Sequence, residues 1–339
     1  MTNSRTSLWS VSAVVVVCAG LVVVGCTSRT DTSTPSAVKT AVLPSPKKST
    51  KLIADWPKPD AALVISGQMD AYLEPCGCSE GQKGGLPRRY DLVEKLKAQG
   101  WSLALLDLGS LTKDPATARG GFEQAKAKFS VALRALSMMG YNAIGLSAED
   151  LKFGIGDTLG QYLNLNEPTK IVCCNVRPKE ESGFQSAVLP WQLCERGTVK
   201  IGVTSVLEPE MLSTLEDPDK SLLEVKPAQD VLPEILVEME KQSSVQVLMV
   251  QGTAEAARRL AKAYPAFEIV VATSTFADPE AEPEKLNNGK TLILQVGKKG
   301  MHVGVVGIYA GQQPPFRYQR VTLGKGYQTA EPMRKLLDE

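Results

Sequence analysis

From residue 61 onward the chain alternates short apolar runs with longer stretches that carry apolar residues at helical spacing. Runs rich in Val, Ile and Leu at 62–66, 102–107, 143–146, 170–174, 200–206, 245–250, 268–272, 291–296, 303–309 and 317–323 predict strands. Several are apolar at nearly every position, as in strands buried on both faces. Segments 88–99, 121–139, 151–163, 227–242 and 253–264 predict helices. Strand and helix alternate through the first half, which indicates an α/β domain. The last three strands have no helix between them and are expected to pair antiparallel, giving a two-sheet sandwich with helices outside. One domain is expected over 60–325, with no internal repeat and no second boundary. The tail at 326–339 reads as loosely packed.

The pattern before residue 60 is different. Arg5 precedes an apolar run at 11–24, about the length of a signal-peptide core and shorter than a membrane span. Val23-Val24-Gly25-Cys26 follows, a branched residue and a small one before a cysteine, and this resembles a bacterial lipobox. The resemblance implies that 1–25 is a lipoprotein signal peptide and that Cys26 becomes the lipidated first residue of the mature chain. The alternative is an uncleaved anchor helix or ordinary secretion. Cys18 lies inside the apolar run without a small residue before it and is a poor lipidation site. Residues 26–59 are rich in Ser, Thr, Pro and Lys, cannot bury enough surface to offset their chain entropy, and read as a disordered tether. Together these features predict attachment to a membrane through the lipid, in the bacterial cell envelope, facing the periplasm or the cell exterior.

Composition narrows the chemistry. Of 339 residues, 43% are hydrophobic, enough for a sizeable core, and the formal net charge is +1. Lys and Arg are scattered, which leaves no electrostatic case for a nucleic-acid partner. Only one histidine is present, His302, whereas zinc, iron and manganese hydrolases use several imidazoles as ligands. A lone histidine at this place in the pattern is expected to be a packed or surface residue and not a metal ligand. No Cys-x-x-Cys-His run is present to attach a c-type haem.

Four segments carry the most specific signal: 63–89 (LVISGQMDAYLEPCGCSEGQKGGLPRR), 105–111 (LLDLGSL), 141–154 (YNAIGLSAEDLKFG) and 290–307 (KTLILQVGKKGMHVGVVG). Their framework resembles the 5'-nucleotidase branch of the calcineurin-like metallophosphatases, in the bacterial subgroup with Glu-Pro-Cys-Gly-Cys ahead of Gly-Gly-Leu-x-Arg-Arg. The resemblance implies a four-layer α/β/β/α sandwich of two mixed sheets. Leu73-Glu74-Pro75 and Gly84-Gly85-Leu86-Pro87-Arg88-Arg89 are retained. The positions that would bind metal are not. Where the family has Asp-x-His, this chain has Gln68 and Asp70. Ser110 stands for the bridging Asp, Ala148 for the ligand Asn, and Glu149 for the neighbouring catalytic His. Gln251 stands for the His of a later strand end, and Ser274 and Phe276 for the two His of the last motif.

A two-metal hydrolase activates water and stabilises the leaving oxygen through paired cations, each needing several anionic or imidazole ligands. Of the metal-ligand positions, only Asp70 offers such a group. The resemblance therefore implies no conventional dinuclear phosphoesterase and no assigned cofactor, with a divalent or soft metal ion left open. A rearranged single-cation site would use Asp70, Glu149 and Asp150.

Cysteines stand beside the altered tips. Cys76 and Cys78 follow the first strand, and Cys173 and Cys174 end another. Strand ends on one edge of an α/β sheet converge, so the four thiols are expected near the altered site. Structural disulfides, apolar packing of Cys173 and Cys174, and a redox or soft-metal thiol site all remain open. Cys194 is most simply packing. The Gly84–Gly85 helix start with Arg88 and Arg89 is a candidate anion site, or a plain loop-to-helix junction. The resulting expectation is an exported, lipid-anchored, metallophosphatase-like domain that binds a small ligand or another envelope protein. An active hydrolase with a rearranged metal site and a thiol redox or soft-metal protein are the alternatives.

Overall fold

The structure is a computed structural model that describes residues 53, 55–75, 82–118, 120–215 and 220–339. Cys26, its lipobox and the tether, together with Cys76 and Cys78, lie outside the described residues. Among the described residues no helix is long and apolar enough to cross a membrane.

Two six-stranded sheets form the centre. In the first, β1 (Ala61–Ser66), β2 (Leu103–Asp107), β3 (Ala143–Gly145) and β4 (Lys170–Val172) lie side by side in parallel. On the other flank of β1 lies β13 (His302–Ile308), antiparallel to it, and then β14 (Phe316–Thr322), antiparallel to β13. In the second sheet, β7 (Val199–Leu207), β9 (Val245–Gln251), β10 (Ile269–Ala272) and β12 (Thr291–Gln295) are parallel. Its edges are the antiparallel strands β6 (Gln192–Arg196) and β11 (Glu284–Leu286). A small ribbon pairs β5 (Val176–Pro178) with β8 (Leu223–Val225).

The continuous apolar strands are explained by this layering. In β1, Ala61, Leu63 and Ile65 face the second sheet, while Ala62 and Val64 face helices. In β9, Val245, Val247 and Met249 face the first sheet, while Leu248 and Val250 face helices on the far side. Alternate residues thus point to opposite faces, and both faces are dry. The outer face of the first sheet is covered by α1 (Leu86–Ala98), α2 (Gly121–Met139), α4 (Ile155–Leu163) and α7 (Glu331–Asp338). The outer face of the second is covered by α5 (Ala228–Gln242) and α6 (Ala254–Ala263). The expected four-layer α/β/β/α sandwich is present.

Four local expectations are corrected. The predicted helix at 151–163 is two helices, α3 (Ala148–Leu151) and α4, separated at Gly154, whose φ of 96° leaves the helical region. The closing strands are not one antiparallel set: β12 belongs to the second sheet, and the chain crosses to the first before β13 pairs with β14. The short strands β5, β6, β8 and β11 are absent from the sequence pattern, because runs of three to five residues of mixed polarity carry no clear period. The tail after residue 325 is not loosely packed. It ends in α7, whose Met333 and Leu336 are buried against the helical layer of the first sheet.

Candidate functional site

The altered motif positions all follow the carboxyl ends of parallel strands. Gln68 and Asp70 follow β1, Ser110 follows β2, and Glu149 follows β3. Gln251 ends β9, and Ser274 and Phe276 follow β10. Such ends converge at one edge of a sandwich. Here they line one cleft of about 700 Å³, to which Lys113, Asp114, Arg258 and Lys298 also contribute. Ala148 is the exception. It is buried among the helices over the first sheet and does not reach the cleft.

The loops that carry these residues are held in unusual backbone conformations. Gln68 (φ 46°), Asp70 (52°), Ala71 (62°) and Ser110 (58°) are all left-handed without being glycine. Each such residue costs on the order of 1 kcal/mol and persists only where the surroundings over-determine it. The surroundings do so through ladder-like bonds between the two loops. Gln68 N–H donates to Gly109 O at 2.8 Å, Asp70 N–H to Ser110 O at 3.2 Å, and Ala71 N–H to Leu111 O at 3.0 Å. Gly109 itself has a φ of 96°, and any side chain there would collide with the Gly145 carbonyl.

Side chains at the altered positions are satisfied by the protein itself. Gln68 Nε2 donates to Ser274 O at 3.1 Å, and Ser274 N–H donates to Gln68 Oε1 at 2.5 Å. Gln251 Nε2 donates to Leu108 O at 2.5 Å, and Ser110 Oγ donates to Gln251 Oε1 at 3.4 Å. Ser274 Oγ caps its own turn, donating to Phe276 O at 2.8 Å and accepting from Phe276 N–H at 3.2 Å. Two metal ions would require anionic or imidazole donors at these points. Neutral amides and hydroxyls already bonded to one another do not fit them. Among the described residues no group of three or more His, Cys, Asp or Glu is arranged to hold a metal ion.

The acidic residues divide. Asp70 lines the cleft, and burial raises its carboxyl to about 6 against the opposing charge of Lys298. Glu149 also lines the cleft but is paired with Lys152 at 3.0 Å, and Lys152 also holds Asp114 at 2.9 Å. Asp150 is not a site residue. It is 1% exposed and accepts from Ser147 Oγ at 2.7 Å, Thr112 N–H at 3.1 Å and Leu111 N–H at 3.3 Å. It anchors the loop after β2 to the start of α3, and the alternative of a rearranged cation site built on Asp70, Glu149 and Asp150 is not assembled.

The arginine and cysteine expectations are also corrected. Arg88 is buried, and its guanidinium donates to Gln82 O at 2.7 Å and Leu323 O at 3.3 Å. Arg89 is 1% exposed; it donates to Ser66 Oγ at 3.0 Å and forms an ion pair with buried Asp107 at 3.4 Å. Both tie α1 to the sheet instead of presenting charge to an anion. Cys173 and Cys174 do not line the cleft, because β4 is the edge strand beyond β3 and its end lies away from β1. They point to opposite faces, Cys173 into the core under the first helical layer and Cys174 into that under the second. Both are buried and unpaired, as is Cys194, and burial pushes the thiols of Cys174 and Cys194 up to about 12. The apolar-packing reading therefore describes Cys173, Cys174 and Cys194.

His302 is a packed residue. Its Nε2 lies 2.6 Å from Asp278 Oδ1 and its Nδ1 lies 3.0 Å from Thr322 Oγ1. Asp278 also pairs with Lys83 at 2.9 Å. This cluster links the loop bearing Ser274 and Phe276 to β13 and to the segment just before α1. Among the residues that sequence reading missed are the charged ones in the cleft, Lys113, Asp114, Arg258 and Lys298. For Lys298 the Gly297-Lys298-Lys299-Gly300 turn between β12 and β13 was the available signal.

No protein-family model and no curated protein matches the chain. Solved structures do. The chain is similar to a 5'-nucleotidase precursor from Thermus thermophilus, with a TM-score of 0.67 and 16% identity, over 82% of this chain and 57% of that one. It is similar to the sulfate thiohydrolase SoxB of the same species, with a TM-score of 0.68 and 13% identity, over 84% of this chain and 60% of that one. It is also similar to the calcineurin-like phosphoesterase YfkN from Bacillus subtilis, with a TM-score of 0.60 and 15% identity, over 82% of this chain and 95% of that one. The chain spans less than two thirds of the length of the first two. The layer order and these likenesses agree: the chain has the calcineurin-like metallophosphatase fold of the 5'-nucleotidases.

Proposed function

We propose that this protein is a lipid-anchored cell-envelope protein that uses the metallophosphatase scaffold to bind a ligand, without dinuclear phosphoester hydrolysis. The observation that carries the reading is the pairing of Gln68 with Ser274 and of Gln251 with Ser110. Four positions that a two-metal enzyme fills with metal donors here satisfy one another. The cleft above them stays open at about 700 Å³, the size of a small-molecule site. A collapsed relic would have filled that space with apolar side chains.

The test uses the full-length protein in detergent, assayed on a generic phosphoester with added manganese or zinc. The expected rate is that of the uncatalysed reaction. Turnover in the ordinary enzyme range, on the order of 1 to 1,000 per second, overturns the reading. The anchor is tested separately. Membrane-fraction protein should give an intact mass starting at acylated Cys26, and Cys26→Ala should release the chain from the membrane.

A further inference from the structure

The charged residues lining the cleft are not all equally committed. Asp114 and Glu149 share Lys152. Arg258 is held by Glu284 at 2.7 Å and by Glu255 at 3.2 Å. Lys113 and Lys298 line the cleft and make no ion pair among the described residues. Asp70 is the one acidic lining residue in the same condition among the described residues.

Lys298 is also rigidly placed at its backbone. It follows Gly297, whose φ is 77° and at which a side chain would come within 2.5 Å of Ala277 O and 2.8 Å of Pro279. Next in the chain, Lys299 N–H donates to Gln68 O at 2.7 Å. The turn that carries Lys298 is therefore packed against the loop of Ser274 and Phe276 on one side and tied to Gln68 on the other. Lys298 thus extends from a fixed turn and lines the same cleft as Gln68. At the same cleft Phe276 is 70% exposed, the most exposed large apolar side chain among the described residues. A cleft of this volume, with Lys113 and Lys298 outside any ion pair among the described residues, Asp70 as the carboxylate sharing their cleft, and one open aromatic face, can take a molecule with an acidic group and a flat or apolar body.

We propose that the cleft binds a small organic acid without a metal ion, Lys298 and Lys113 supplying the positive charge for its carboxylate or phosphate group and Phe276 a face for its apolar body. This rests on the reading of the protein as a ligand binder and adds the class of ligand.

The experiment titrates the detergent-solubilised full-length protein, in excess EDTA, with phenyl phosphate, benzoate and neutral benzyl alcohol, followed by calorimetry. Phenyl phosphate or benzoate should bind and benzyl alcohol should not. Lys298→Gln should weaken binding by about tenfold or more, the loss expected for a charge-assisted contact, with Lys298→Arg restoring most of it. Phe276→Ala should weaken phenyl phosphate binding more than inorganic phosphate binding. Thermal melts of each variant establish that it is folded. Absence of binding by either acid up to millimolar concentration overturns the proposal, as does binding that Lys298→Gln and Lys113→Gln leave unchanged, or binding that appears only when a divalent metal is added. Hydrolysis of phenyl phosphate with added manganese would instead overturn the ligand-binder reading, so the two failures are distinct.

Discussion

Gln68 and Ser274 are 206 residues apart in the chain, and the two close on one another through both ends of a single side-chain amide. This clasp joins the first sheet to the second at the cleft floor. Removing it by Gln68→Ala leaves a buried N–H and a buried carbonyl without partners. The expected cost is about 1 to 3 kcal/mol, read as a lower urea midpoint with an unchanged m-value. A midpoint equal to that of the parent would show that the clasp contributes nothing.

The Arg89–Asp107 pair lies beneath that floor with both side chains almost completely buried. Asp107 is further bonded to Ser66 Oγ at 2.5 Å and to Gly109 N–H at 2.8 Å, so the turn that presents Ser110 depends on it. Arg89→Met strands a buried carboxylate. We expect a loss of about 3 to 5 kcal/mol in chemical denaturation. A loss below about 1 kcal/mol would mean that the carboxylate is not held as an ion pair.

His302 makes stability depend on pH. Burial, with Arg320 nearby, lowers the imidazole from its ordinary value near 6.5 to about 4, against the opposing pull of Asp278. Between those values the unfolded chain binds the proton and the folded one does not. Stability is therefore fully present above about 6.5 and is lost as the pH falls toward 4. At about pH 5 the loss should be about 2 kcal/mol relative to neutral pH. His302→Gln should flatten that part of the profile, and an unchanged slope in the variant would assign the acid sensitivity elsewhere.

The buried thiols predict slow chemistry. Cys173, Cys174 and Cys194 should resist alkylation in the native protein and react together once it is unfolded in urea. Rapid native labelling of Cys173 or Cys174, measured by peptide mass spectrometry, would return them to consideration as a thiol site.

The C-terminal helix should matter for stability. Ending the chain at residue 325 uncovers the surface on which Met333 and Leu336 are buried. Each such side chain contributes about 1.5 to 3 kcal/mol, so truncation should lower the melting temperature by several degrees or prevent folding. An unaltered melting curve would show that α7 is dispensable.

Much of this protein was legible in one dimension. Apolar runs marked the strands of both central sheets except the edge strands β6 and β11, and the glycines and Leu73-Glu74-Pro75 marked the loops between them, because burial on two faces demands continuous apolar residues. The replacement of metal donors at Gln68, Ser110, Gln251 and Ser274 was also readable, since donor chemistry belongs to the residue type. What those replacements do was not. A sequence does not say that Gln68 bonds Ser274, that Asp150 is a buried loop anchor, or that Arg89 faces inward to Asp107. These are contacts between residues far apart in the chain, set by how two sheets pack. The same holds for the thiols, where the sheet order places β4 at an edge and carries Cys173 and Cys174 away from the cleft. Residue types alone show that amides and hydroxyls, not carboxylates or imidazoles, stand at Gln68, Ser110, Gln251 and Ser274. Only the packing of the two sheets decided that the same positions close on each other and leave a cleft lined by Lys113 and Lys298, which form no ion pair among the described residues.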